Sequence, residues 1–254
     1  MLHIITEYVP GGTLRQMLKN TYMELSWKQR IEVARDIAAG MCYLHSQHVI
    51  HRDLKSKNIL IQSSQGRKTA IVADFGLASV MKEQCCNVDG DGGRKGKLGK
   101  NLTDGGGDPC KLSSGSGLPN FKKRYTVVGT CYWMAPEMLN HKAYNETVDI
   151  FSFGIVICEI ISRVKADPDE LPRTNDFGLD VVAFTEKFGR TTPEHFLLLA
   201  AACCDMDPER RPSFHCCEKW LVGMLAFLEF GISIPDVGEV DFCEEPVQPR
   251  LNNT

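Results

Sequence analysis

The sequence has no run of about 20 apolar residues, the length a helix needs to cross a bilayer. Its most apolar stretch, Ile150 to Ile161, contains Glu159 and is closed by Asp149 and Arg163, which predicts a buried core helix and no membrane span. Basic excess is also lacking: the formal net charge is −3, and no basic patch dominates, so no nucleic-acid partner is expected. The opening Met1-Leu2-His3-Ile4-Ile5 has no basic segment, long apolar segment or small-residue cleavage site, so no secretory leader is read. Although there are 11 cysteines, none form Cys-x-x-Cys, the total is odd, and six fall in adjacent pairs at 85/86, 203/204 and 216/217. That pattern disfavours a disulfide scaffold or a structural zinc site and points to reduced, mostly buried thiols. A cytoplasmic location follows as the expectation, with nuclear access open. No Gly-x-Gly-x-x-Gly and no Gly-x-x-x-x-Gly-Lys-Ser/Thr occurs, so these residues contain no glycine loop for cradling phosphates.

The 254 residues are 43% hydrophobic and 24% charged, an ordinary globular composition that excludes collagen-like, coiled-coil and wholly disordered chains. Between about Ser79 and Arg124 the pattern breaks, with ten glycines and no apolar period, the text of a flexible insertion. Residues 82–124 carry nine Lys/Arg against five Asp/Glu, a basic insert (79–124) on a body left at −7. Residues 231–254 hold five Asp/Glu, three prolines and Arg250, and read as an acidic tail.

Within the body, Leu2 to Val9 is expected to be a strand and Pro10-Gly11-Gly12 a turn, with Thr13 capping a short helix. Ser26 is placed to cap a helix from Trp27 to Ser46, where Ile31, Ala34, Ile37, Ala38, Met41 and Leu44 share one face. The β-rich runs Ile59-Leu60-Ile61 and Ala70-Ile71-Val72-Ala73 flank a turn and predict a hairpin. Helices are expected over about 147–162, 180–188, 193–204 and 213–229.

Three short motifs then fall in a telling order. His51-Arg52-Asp53-Leu54-Lys55-Ser56-Lys57-Asn58 lies between a helix and a strand, Asp74-Phe75-Gly76 follows the next strand, and Ala135-Pro136-Glu137 closes the set. Together they resemble the catalytic half of a eukaryotic protein kinase. The fold this implies is α+β: a protein-kinase-like fold, mainly the helical large lobe with a small β-hairpin, the small lobe almost entirely missing. The expected domain spans residues 1–230, hinge and large lobe.

The resemblance implies ATP and Mg²⁺ as cofactors, because phosphoryl transfer relies on positioning and charge neutralisation around the metal. Asp53 would accept the proton of the substrate hydroxyl, and Lys55 would set a positive charge beside the transferring group. Asn58 and Asp74 would hold the metal through oxygen. The backbone of Glu7 and Val9 would read adenine, with Leu60 beneath it. Thr130 would bridge Asp53 and Lys55, as in serine/threonine members. Thr126 is expected to be a phosphorylation switch for an upstream activating kinase, its phosphate pairing with Arg52. Glu137 and Arg211 would form a buried ion pair, and Asp149 would brace the catalytic loop.

The stretch Lys122 to Gly129, with Phe151-Ser152-Phe153-Gly154-Ile155-Val156, Leu171-Pro172-Arg173-Thr174 and Asp207 to Phe214, is similar to the LIM kinases and the related testis-specific kinases. That resemblance implies a cofilin-type actin-depolymerising substrate and a role in actin turnover. It also implies an N-terminally truncated enzyme: the Gly-rich loop, the phosphate-gripping lysine and its helix glutamate would lie ahead of these residues, and the 254 residues alone are expected to transfer little phosphate. The alternative is a non-catalytic kinase lobe that binds substrates or regulators.

Overall fold

The computed structural model describes residues 7–64, 66–80 and 131–231. All of them fall in one structural unit, and a second, Lys82–Val127, lies outside the described residues. In chain order the elements are α1 (Leu14–Lys19), α2 (Trp27–Ser46), β1 (Val49–Ile50), β2 (Ile59–Ser64), β3 (Arg67–Val72), β4 (Ser79–Val80), α3 (Pro136–Leu139), α4 (Thr147–Ser162), α5 (Val181–Phe188), α6 (Glu194–Cys203) and α7 (Phe214–Phe230).

Four helix starts, those of α1, α2, α5 and α7, are set by side-chain caps. Thr13 and Gln16 form a reciprocal capping box on α1, and Ser26 and Gln29 form another on α2. Asp180 accepts from Ala183 N–H at the start of α5, and Ser213 accepts from Cys216 N–H at the start of α7. The expected hairpin is present: β2 and β3 pair antiparallel from Ile59↔Val72 to Ser64↔Arg67. Three elements, β1, β4 and α3, have no counterpart in the sequence expectation. A two-residue ladder joins β1 to β4, and α3 is a single turn begun by Pro136. The expected strand over 2–9 fails at its described end, because Glu7–Val9 is irregular, with no described strand to pair with. Residues 2–6, almost all of the expected insert and residues 232–254 lie outside the described residues.

Helix α4 is the core. Every residue from Val148 to Ile161 is buried, and a helix apolar on nearly all sides has to be enclosed by others. It packs against α2 and α6. Gly154 permits the approach of α6, since a Cβ there would lie 2.5 Å from Cys204 Sγ and 2.8 Å from Cys203 Cβ. The thiols of Cys158, Cys203, Cys204 and Cys217 fill this region, and burial pushes those of Cys158 and Cys203 well up, away from the reactive thiolate. Cys203 Sγ and Cys217 Sγ are 3.8 Å apart, a thiol contact as expected for reduced cysteines.

Both ends of α4 are tied by charge. At its C-terminus, Arg30 Nη1 donates to the carbonyls of Ile160 (3.3 Å) and Ile161 (2.7 Å), and Arg163, at φ 57°, donates to Leu18, Met23 and Asn20. Near its N-terminus, Arg211 grips Glu137 of α3 bidentately at 2.6 and 2.9 Å and also donates to the carbonyls of Thr147 and Asp205. Both partners are buried, so removing one strands the other charge away from water. Arg211→Met should therefore cost about 3–5 kcal/mol in urea unfolding, and Glu137→Met/Arg211→Met less than the sum of the single losses.

Candidate active site

The segment from His51 to Asn58 leaves β1 and enters β2, and its shape is imposed from α4. Asp149, fully buried, accepts the backbone N–H of His51 on Oδ2 and of Arg52 on Oδ1, each at 2.8 Å, and also His45 Nε2 at 3.0 Å. Two N–H groups aimed at one carboxylate force a tight bend. Arg52 takes it up with φ 64°, a left-handed conformation that costs a non-glycine residue about 1 kcal/mol or more.

Beyond the bend three side chains converge. Lys55 Nζ lies 2.8 and 2.6 Å from the two carboxylate oxygens of Asp53. Asn58 Nδ2 donates to the Asp53 carbonyl and to its Oδ2, both at 2.9 Å. Asn58 is buried, while Asp53 and Lys55 are partly exposed, so the cluster is rigid on its inner side and open on its outer side.

The same loop is fastened to the turn that carries Asp74. Ala73 N–H donates to the Asn58 carbonyl at 2.8 Å, and His51 Nε2 donates to the Ala73 carbonyl at 3.1 Å. His51 Nδ1 accepts the Asp53 N–H at 3.3 Å, which assigns the ring proton to Nε2. Arg52 Nε reaches the Leu77 carbonyl at 2.7 Å, and the rings of His51 and Phe75 lie 5.4 Å apart. Asp74 itself is exposed, with φ 65°, and its Oδ1 accepts from Gly76 N–H. The fold thus brings Asp53, Lys55, Asn58 and Asp74 to one end of the β2–β3 hairpin.

Other expected positions fall nearby. Gly12 O accepts from Ile61 N–H, Thr13 bridges to Leu60, and a Cβ on Gly11 would lie 1.9 Å from the Ile61 carbonyl. Only glycine lets residues 10–13 lie this close to β2, so the chain just after Glu7 and Val9 borders half-buried Leu60. Thr126 and Thr130 lie outside the described residues.

Comparison with known proteins bears on this arrangement. A family model described as protein tyrosine and serine/threonine kinase matches residues 1–95, and one described as protein kinase domain matches residues 110–221. LIM domain kinase 1 of Drosophila melanogaster is 47% identical over 230 residues, 87% of this chain and 17% of that protein. Dual specificity testis-specific protein kinase 1 of Rattus norvegicus is 46% identical over 213 residues, and the Homo sapiens protein of that name is 46% identical over the same length. Each of those alignments covers 84% of this chain and 29% of the relative.

The chain belongs to the protein kinases, in the LIM kinase and testis-specific kinase group. Its fold is the α+β protein-kinase-like fold, the described residues carrying mainly helices and few strands. It spans less than a third of the length of these curated relatives.

Two features of this kinase chain were not assigned from sequence. His51 is a connector between the two loops, a role set by a ring nitrogen meeting a backbone carbonyl. Glu159 accepts from Ser56 of the His51–Asn58 loop and from Trp133, contacts made across 103 and 26 residues. The available signal was a lone carboxylate inside an apolar helix, which has to find donors.

The bracing by Asp149 yields a test. Asp149→Asn keeps the size but turns one acceptor into a donor facing a backbone N–H. It should cost about 1–3 kcal/mol and speed amide exchange at residues 51–54. Unchanged exchange there would remove Asp149 from this role.

Proposed function

We propose that the chain is the large-lobe portion of a serine/threonine protein kinase that transfers the terminal phosphoryl group of ATP to a protein hydroxyl. The observation that carries the reading is the Asp53 carboxylate, gripped by Lys55 and Asn58 on a loop joined to the Asp74 turn.

A general base has to be oriented yet reachable. Asn58 fixes the Asp53 carboxylate from inside, leaving it to orient the substrate hydroxyl and accept its proton from the open side. Lys55, already at that carboxylate, places a positive charge where the phosphoryl group arrives. Asn58 spends Nδ2 on Asp53, so its amide oxygen is directed elsewhere. That oxygen and the Asp74 carboxylate make a hard donor set, which fits Mg²⁺. When bound, the metal neutralises charge on the ATP phosphates. The main chain of Glu7 and Val9 would read adenine above Leu60.

Serine/threonine preference rests on Lys55 and on Thr130, which would bridge Asp53 and Lys55. The testis-specific relatives are named dual specificity kinases, so tyrosine is the competing acceptor. Phosphate on Thr126, added by an upstream kinase, would pair with Arg52, whose guanidinium is fixed at the loop by its bond to Leu77. A cofilin-type actin-depolymerising factor is the proposed substrate, acting in the cytoplasm with nuclear access. No described helix is long and apolar enough to cross a membrane.

These 254 residues contain no Gly-x-Gly-x-x-Gly, and loss of even one preorganised donor costs about 10²–10³ in rate. On their own they should transfer little phosphate. The test is a chimera carrying the preceding small lobe of the Drosophila relative. It should phosphorylate a cofilin-type protein on serine or threonine with Mg²⁺-ATP. Asp53→Asn should lower kcat about 10²–10⁴-fold with little change in KM for ATP, whereas Asp74→Asn should raise the Mg²⁺ requirement. A folded, ATP-binding chimera without transfer would overturn the reading, and phosphotyrosine as the main product would overturn the serine/threonine assignment.

A further inference from the structure

Glu159 sits in the last two turns of α4, 1% exposed, and is surrounded by donors from four parts of the chain. Ser56 Oγ donates to its Oε1 at 2.9 Å, and Arg15 Nη1 of α1 approaches the same oxygen at 3.2 Å. Trp133 Nε1 donates to Oε2 at 2.8 Å, and the Ala166 N–H completes the set. Ser56 lies between Lys55 and Asn58, and Trp133 stands two residues before Ala135. One carboxylate therefore links the loop that holds Asp53 to the segment entering α3.

We propose that Glu159 is a positioning residue, a shared acceptor that holds the catalytic loop and residues 131–133 in fixed relation and loosens both when it takes up a proton. The donor chemistry gives the direction. The indole and the guanidinium only donate, so each needs an acceptor lone pair, whereas the Ser56 hydroxyl can reverse its bond. Proton uptake on Oε2 competes with Trp133. On Oε1 it removes the charge that holds Arg15 and turns Ser56 into an acceptor.

The neighbouring groups are few. Arg15 is the single ion-pair partner of Glu159 among the described residues. Arg30 of α2 is committed to the carbonyls of Ile160 and Ile161, and the adjacent Cys158 thiol is hydrogen-bonded to Cys204, the C-cap of α6. Burial pushes the Glu159 carboxyl up to about 7, against the opposing pull of Trp133, Ser56 and Arg15. Because the folded form binds this proton more tightly than the unfolded chain, its contribution to stability is full below about 4.5, falls as pH rises, and levels off above about 7.

The role assigned to the catalytic loop rests on the proposed kinase function, but the linkage does not, and it is measured without phosphoryl transfer. In the 254-residue chain carrying ¹⁵N-indole tryptophan, the Trp133 N–H resonance, identified by its loss in Trp133→Phe, should titrate with a midpoint near 7. Glu159→Gln keeps an acceptor for Trp133 and should flatten that titration. Ser56→Ala and Arg15→Gln each remove a group favouring the ionised form and should raise the midpoint. Ser56→Ala should also speed amide exchange at residues 131–139, and Trp133→Phe at residues 53–58.

A wild-type resonance that does not titrate, or a titration unchanged in Glu159→Gln, would overturn the proposal. Should Glu159→Gln fail to fold, unshifted midpoints in Ser56→Ala and Arg15→Gln would overturn it equally, and so would exchange changes confined to the mutated segment. A flat Trp133 titration beside an active chimera would discard the Glu159 linkage alone. A titrating one beside an inactive chimera would discard the kinase reading alone.

Discussion

Asp149, buried at the first turn of α4, accepts the backbone N–H groups of His51 and Arg52, and the shape of the candidate site follows from those two bonds. Without the carboxylate, the buried His51 N–H and the half-buried Arg52 N–H would lack this acceptor, and Arg52 would lose a restraint that holds it in the left-handed region. With it, the chain bends just before Asp53, and Lys55 and Asn58 both reach back to the Asp53 carboxylate. A charge buried in the core helix is costly, and it is offset by two bonds that restrain the loop and a third to His45 of α2.

The backbone strain is distributed in the same way. Arg52 and Asp74 both have positive φ, and each is pinned on more than one side. Arg52 is fixed by its N–H on Asp149 and its Nε on Leu77, while Asp74 follows a residue clamped by Asn58 and His51. Strained residues survive where the surroundings over-determine them, and here Arg52 precedes Asp53 while Asp74 is itself a carboxylate with a proposed chemical role. The β1–β4 ladder, only two residues long, fastens the far ends of the two loops. Its value lies in where it ties the chain, since two ladder pairs add little stability on their own.

Much of the fold was legible in the sequence because its signals are local. Ser26 with Gln29 and Thr13 with Gln16 mark helix starts within four residues, and the apolar run of α4 marks a helix with no solvent face. The Asp53, Lys55 and Asn58 grouping was legible for the same reason, since the three lie within six residues. What could not be read depends on distance along the chain. The β1 and β4 strands are too short to show alternation, and α3 is one turn. The strand expected at Leu2–Val9 rested on composition, and a strand needs a partner that composition does not supply. Glu159 was visible as an oddity in an apolar run, but its side-chain donors stand 26, 103 and 144 residues away and no spacing announces them.

The polar residues of α4 show how a core helix can also organise a surface site. Asp149, Ser152 and Glu159 recur at intervals of three and seven, which places them along one face of an otherwise apolar helix. Asp149 holds the start of the His51–Asn58 loop, Ser152 Oγ donates to the Trp133 carbonyl at 2.7 Å, and Glu159 takes the Trp133 indole and Ser56. Trp133 is therefore held at its backbone and at its ring by residues two helical turns apart. Leucines along this face would bury as much apolar area, but they would have no preference for where the loop or residues 131–133 sit. Directional bonds supply that preference, because an unpaired donor or acceptor in the core costs more than a loosened apolar contact. The apolar faces of α4 give the lobe its stability, and its single polar stripe decides which loops dock against it and in what register.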